Sequence, residues 1–130
     1  REPEIYGTTT LAEIERMCRN AAGDHPLRFH QSNAEHEIIG WIHEAIGESA
    51  GIVINAAAYT FTSLAILDAL KMFRGPIVEL HISNIHRREA HYHRSFVSQA
   101  ATGIIVGLGA KGYPAAVKAV LEMVRRESDS

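Results

Sequence analysis

The sequence predicts a doubly wound α/β sandwich, a parallel sheet covered by helices on both faces. Three observations carry that expectation. Short runs at 52–54, 77–82 and 102–106 are mainly apolar, as a strand covered on both faces requires. Amphipathic stretches of helical period alternate with them. Gly and Pro clusters punctuate the joins. A length of 130 residues is about one domain by the usual size prior, so residues 1–130 are taken as a single unit.

The elements follow in order. Thr8-Thr9-Thr10 offers capping hydroxyls, and Leu11, Ile14, Met17, Cys18 and Ala21 then make a helical stripe. Pro26 to Gln31 is expected as a short strand with Leu27 and Phe29 on one face. Ser32 or Asn33 is expected to cap a second helix with apolar positions Ile38, Trp41, Ile42 and Ala45. Gly51 precedes a strand at 52–54 that should be buried on both faces. Thr62 or Ser63 starts a third helix running to about Phe73, ended by Gly75-Pro76. Ile77 to Ile82 is the next strand. Residues 84–100 have no clean period and read as a long loop with one helical turn. Thr102 to Val106 is the last strand. Pro114 suits the first turn of the last helix, lined by Val117, Val120, Leu121 and Val124, and 128–130 read as a tail. One oddity stands out: the chain opens on a loop and a helix, whereas a doubly wound domain ordinarily opens on a strand.

Composition narrows the function classes. A formal net charge of −2 gives no general attraction to nucleic acid or anionic membranes. No run approaches the roughly 18 apolar residues of a membrane span, and Arg1-Glu2-Pro3-Glu4 is not a signal pattern. The single cysteine, Cys18, has no internal disulfide partner. It is expected as a small buried side chain in a reducing, cytoplasmic protein.

Three constellations compete for the chemistry. Gly107-Leu108-Gly109-Ala110-Lys111-Gly112 matches GxGxxG, but too little chain follows to seat a ribose-binding acid. A tight strand-to-helix turn is the better reading. His81, His86, His91 and His93 could suggest zinc. Their spacing fits no standard ligand set, and Arg87, Arg88 and Arg94 lie among them, so no metal is expected. The third constellation stands at strand ends: Asn55, and Glu79-x-His81-x-Ser83. Period-2 alternation puts Glu79, His81 and Ser83 on one side of a strand. A carboxylate beside an imidazole orients it and favours its protonated form, and an imidazolium can protonate a leaving group. Asn55 could orient water or hold an oxyanion. A core histidine satisfied by a glutamate would use the same spacing, and spacing alone leaves the two even.

The residues resemble one family. Val78-Glu79-Leu80-His81-Ile82-Ser83-Asn84-Ile85-His86 is similar to the E-x-H-I-S-N-x-H segment of the type II 3-dehydroquinate dehydratases. Ile54-Asn55 through Tyr59-Thr60 resembles their N-x-x-x-x-T segment. Arg1 to Gly7 resembles their R-x-P-x-x-Y-G lid, and Ala101 to Tyr113 their last strand and turn. These matches run in family order across nearly the whole chain. The resemblance implies a flavodoxin-like fold, a homo-oligomer of trimers assembling to a dodecamer, no cofactor and no metal. It implies an anti elimination of water from 3-dehydroquinate through an enolate, a hydro-lyase step of the shikimate or quinate pathway. Tyr6 would be the base, with Arg1 stabilising its tyrosinate. Asn55 would hold the water facing the enolate. His81 would protonate the departing hydroxyl, oriented by Glu79. Backbone groups of Ile82 and Ser83 would bind the carboxylate, with Phe61, Tyr92 and Arg88 on the side that meets the substrate's hydroxyls.

There are departures. The family's first strand and its N-G-P-N turn have no counterpart, so the fold is expected with its N-terminal strand missing and the given chain is expected to be incomplete or processed. Phe61 stands where relatives place the His of T-H-T-S, Leu67 where they commonly carry Arg, and Tyr92 where they place the Arg of E-x-F-R. The expectation is a divergent dehydratase with weakened activity or one acting on a related cyclic hydroxyketone acid. The alternatives are a non-catalytic homologue that binds a carboxylate metabolite or serves as an assembly subunit, and a metal-dependent hydrolase using the histidine loop.

Overall fold

The computed structural model describes residues 5, 6 and 8–129, with side chains from Thr8 onward. The chain opens on a two-strand antiparallel pair, β1 (Ile5–Tyr6) and β2 (Thr9–Thr10). α1 (Leu11–Ala22) starts there because Thr10 and Glu13 cap each other reciprocally: the Glu13 amide donates to the Thr10 hydroxyl, and the Thr10 amide donates to the Glu13 carboxylate. Such a box is worth about 1 kcal/mol. The expected stripe is inward, with Ile14, Cys18 and Ala22 buried.

Residues 26–31 form no strand. Leu27 and Phe29 do pack on the α1 side of the core, so the alternation was real. A strand also needs a neighbour for its backbone ladder, and among the described residues none pairs with this segment. α2 (Glu35–Ala45) begins at Ala34 with no side-chain cap. Neither of the expected caps, Ser32 or Asn33, is the N-cap; the Ser32 hydroxyl accepts from the Ala34 amide and donates to the Glu37 carboxylate. Ser32 shapes the approach to the helix rather than its first turn.

The sheet proper is β3 (Ile52–Ile54), β4 (Ile77–His81) and β5 (Gly103–Val106), parallel and in that order. Every residue of β4 is buried. β3 is not buried on both faces as expected: Ile54 is buried but Ile52 and Val53 are half-covered, because among the described residues β3 pairs only with β4. α3 (Leu64–Lys71) is capped by Ser63, whose hydroxyl accepts from the Ile66 amide and donates to Glu35 at the start of α2. Gly75 is required at the next turn, since a Cβ there would lie 2.2 Å from the Ala50 carbonyl oxygen.

Two layers close over the sheet. On one face α2 and α3 supply Ile42, Ile66 and Leu70, and Phe73 just beyond α3 joins them, in a core shared with Ile54, Ile77 and Val97. On the other, α1 and α4 (Gly112–Asp129) meet around Ile14, Cys18, Ala116, Val117 and Val120. Each fully buried Ile or Leu stabilises by about 1.5–3 kcal/mol. The doubly wound sandwich is therefore present. α4 runs to Asp129, into the expected tail, and Arg125 pairs with both Glu122 and Asp129 on its last turns. No helix among the described residues is long and apolar enough to cross a membrane.

The long loop after β4 is more ordered than expected. It holds three 3₁₀ turns, at Ile85–Arg87, Ala90–Tyr92 and Val97–Gln99. Ile85 and Val97 are the buried residues that pin it. The turn after β5 is tight: Gly107 and Gly109 have φ of 83° and 66°. Their amides donate to the carbonyls of His81 and Ile82 at 3.1 and 2.9 Å. Those donors close the end of β4 and are not offered to a dinucleotide phosphate, so the GxGxxG match is a structural turn.

Candidate active site

The carboxyl end of β4 carries a buried acid–base pair. Alternation brings Glu79 and His81 to one face, where the Glu79 Oε2 and His81 Nε2 atoms are 2.6 Å apart. Their side chains are only 1% and 5% exposed, too little for water to screen them. Two loop hydroxyls complete the carboxylate's shell. Ser95 donates to Oε2 at 2.8 Å, and Ser98 donates to Oε1. Burial pushes the Glu79 carboxyl up, but hydrogen bonds from His81, Ser98 and Ser95 outweigh it, and the group lies below its ordinary value. Glu79 is therefore ionised near neutrality and offers no proton. Nε2 of His81 must be the donor in that contact.

An aromatic layer covers the histidine. The Phe61 and His81 rings stack with centroids 6.0 Å apart, and Tyr92 meets Phe61 edge-on at 5.4 Å. The Arg88 guanidinium lies 3.9 Å from the centroid of the Tyr92 ring, a cation–π contact of about 0.5–1 kcal/mol. Two of the residues that depart from the family pattern, Phe61 and Tyr92, thus touch each other beside His81. Beside them opens a cavity of about 590 Å³, lined by Phe61, His91, His93, Arg94, Ser95 and Ser98 among others. That size suits a small molecule. A smaller hollow of about 290 Å³ between α1 and α4, lined by Met17, Asn20, Ala21, Pro114 and Lys118, is remote from this chemistry.

Asn55 lies just past β3, whose last residue Ile54 is in register with Glu79. Its Nδ2 donates to the Tyr113 hydroxyl at 3.0 Å, and its Oδ1 accepts from the Ala57 amide at 3.1 Å. Those contacts fix the amide's orientation. Ala57 has φ of 51°, a left-handed conformation that a residue bearing a Cβ adopts at a cost. Ser83 is exposed and Ile82 half-covered, at the open end of the strand. Arg1 to Glu4 and Gly7 of the expected lid lie outside the described residues, as does the side chain of Tyr6. The remaining histidines take separate roles: His86 lies against His93 and His91 against Tyr92. Among the described residues no three His, Cys, Asp or Glu side chains gather as a metal site.

Sequence reasoning missed Ser95, Ser98 and Tyr113. The two serines carried a signal, a spacing of i, i+3 at the start of a 3₁₀ turn, where the Ser95 hydroxyl accepts from the Ser98 amide. Tyr113 is brought to Asn55 only by the tertiary fold.

A parallel α/β sheet with a histidine–carboxylate pair at its carboxyl edge defines an acid–base site of the kind found on doubly wound folds. The family model described as dehydroquinase class II matches residues 1–121. The chain is 56% identical to 3-dehydroquinate dehydratase 2 of Agrobacterium fabrum, over 98% of this chain and 88% of that protein. It is 54% identical to the 3-dehydroquinate dehydratase of Bartonella bacilliformis, over 96% and 80%. The crystal structure of type II dehydroquinase from Propionibacterium acnes superposes with a TM-score of 0.85 at 40% identity, covering 94% of this chain and 86% of that one. The chain belongs to the dehydroquinase class II family, and its fold is the family's flavodoxin-like one.

Proposed function

We propose that the chain is a 3-dehydroquinate dehydratase, a hydro-lyase that converts 3-dehydroquinate to 3-dehydroshikimate and water. The observation that carries this reading is the buried Glu79–His81 pair at the carboxyl end of β4. The printed names of relatives at 56% and 54% identity agree with it. Tyr6, held as tyrosinate by Arg1, takes the proton beside the ketone, and its electron pair forms an enolate. The enolate then collapses, the C–O bond breaks towards oxygen, and His81 gives the hydroxyl the proton with which it leaves as water. Asn55 holds the water that faces the enolate oxygen. Backbone groups of Ile82 and Ser83 receive the carboxylate.

Phe61, Tyr92 and Arg88 form the wall towards the substrate's hydroxyls. A hydroxyl facing Phe61 finds no partner there, which costs on the order of 1–3 kcal/mol. We read the chain as a dehydratase with a weakened hold on that side of the substrate, or one turned towards a related cyclic hydroxyketone acid. It works without metal or cofactor, as a homo-oligomer of trimers in a dodecamer, in the cytoplasm. The test is incubation with 3-dehydroquinate while enone absorbance is followed. Turnover that His81→Ala abolishes while ligand binding survives supports the reading, and no turnover above background refutes it.

A further inference from the structure

Glu79 is an orienting group only if its own carboxylate is held, and the fold supplies a dedicated device for that. Val97 is 1% exposed in the core beneath α3 and fixes the last 3₁₀ turn of the loop. The Phe96 amide donates to the Thr60 carbonyl at 2.8 Å and ties the same turn to the segment carrying Phe61. Ser95 precedes that turn and Ser98 lies within it, and both hydroxyls reach the Glu79 carboxylate. The Ser98 amide donates to Ser95 Oγ at 3.0 Å, so the Ser95 oxygen is held as an acceptor while its proton is directed at Glu79. Each carboxylate oxygen then has its own serine, and Oε2 keeps its second acceptor site for His81.

We propose that Ser95 and Ser98 are positioning residues for the dehydration, holding the Glu79 carboxylate as the fixed acceptor of His81 Nε2–H and so assigning proton transfer to Nδ1. This rests on the dehydratase reading for its kinetic consequence but not for its geometry. In the step itself the bond from carbon to the departing oxygen breaks with its pair on oxygen. The Nδ1 proton passes to that oxygen, water leaves, and the ring becomes neutral with Nε2–H still on Glu79. Without the two hydroxyls the buried carboxylate keeps one partner, and burial acts on it with less opposition. The ring then loses its single orientation.

The experiment compares wild type with Ser95→Ala, Ser98→Ala, the double variant and Ser95→Thr, which keeps the hydroxyl. Turnover of 3-dehydroquinate gives kcat and KM, and nitrogen-15 NMR of the His81 ring gives its tautomer. The double variant is expected to lose about 10- to 100-fold in kcat, the range typical of partners that orient a functional ligand, with KM little changed. Ser95→Thr is expected to keep wild-type turnover. The neutral His81 ring, as left after proton transfer, is expected to be a single Nε2–H form in wild type and a mixture of tautomers when both hydroxyls are removed. Unchanged kcat in the double variant overturns the proposal, as does equal loss in Ser95→Thr and Ser95→Ala. If the double variant does not fold, the Ser98→Ala variant is read in the same way. If wild type itself has no turnover, the dehydratase reading fails, and the NMR signature alone decides the clamp: an unaltered His81 tautomer overturns it.

Discussion

The ring of Phe61 stacks on that of His81 with the planes 23° apart, so the imidazole that we propose as proton donor sits against an apolar wall. Such a wall excludes water from one side of the imidazole and offers a substrate hydroxyl nothing to bond. The same ring is braced by the edge of Tyr92, so the wall is held in place.

Phe61→His puts a hydrogen-bonding ring in that wall. Recovering a pairing worth 1–3 kcal/mol corresponds to a rise of roughly 5- to 150-fold in kcat/KM for 3-dehydroquinate. Steady-state kinetics on the two proteins measures it. An unaltered kcat/KM means that no substrate hydroxyl meets this position.

Glu79 should make stability depend on pH. Its carboxyl lies below the ordinary value in the folded chain, so the folded state binds fewer protons than the unfolded one. The stabilisation is complete above the unfolded glutamate value, about 4.3, and is lost as pH falls through the lower folded value. Urea unfolding of wild type and Glu79→Gln between about pH 3 and 6 should show a stability difference between them that changes with pH in that window. A constant difference would mean that Glu79 is not held ionised by its neighbours.

Thr60 Oγ1 is the one buried side-chain polar atom without a hydrogen-bond partner among the described residues. Thr60→Val keeps the shape and removes that hydroxyl. Because an unpaired buried donor costs about 1–3 kcal/mol, the valine variant should be as stable as wild type or more so. A clear fall in chemical-denaturation stability would reveal a partner for the hydroxyl.

Gly75→Ala places a Cβ against the backbone oxygen of Ala50, where no side chain can give way. A loss of about 1–3 kcal/mol, as for other overpacked sites, is expected in the same assay, with little effect on kcat. Wild-type stability would mean that the turn between α3 and β4 shifts freely.

The acid pair was readable from spacing because a strand's period of two is a local rule, and Glu79 and His81 obey it. Its meaning was not local, since a core histidine uses the same spacing. The resemblance that ran through Asn55 and the 78–86 segment supplied the rest. Residues 26–31 misled because alternation reports which way side chains point, whereas a strand also depends on a partner elsewhere in the chain. Ser95 and Ser98 stayed hidden in a segment without a regular period, and their role depends on Val97 reaching a core built by distant helices. Phe61 and Tyr92 stood out as departures from the family pattern, but their contact with each other is a product of the loop's path. Tyr113 bonds Asn55 from the first turn of α4, a pairing that no local pattern could announce.

Cys18 gives the molecule a reporter of its own motion. It is 3% exposed in the seam between α1 and α4, and burial pushes its thiol up to about 11, so at neutral pH it is both covered and unreactive. The chain has no other cysteine. A thiol-specific label therefore attaches only when that seam opens, and the added mass counts openings one molecule at a time. Labelling rates with and without ligand would then reveal whether filling the site at the end of β4 quiets the opposite face of the sheet.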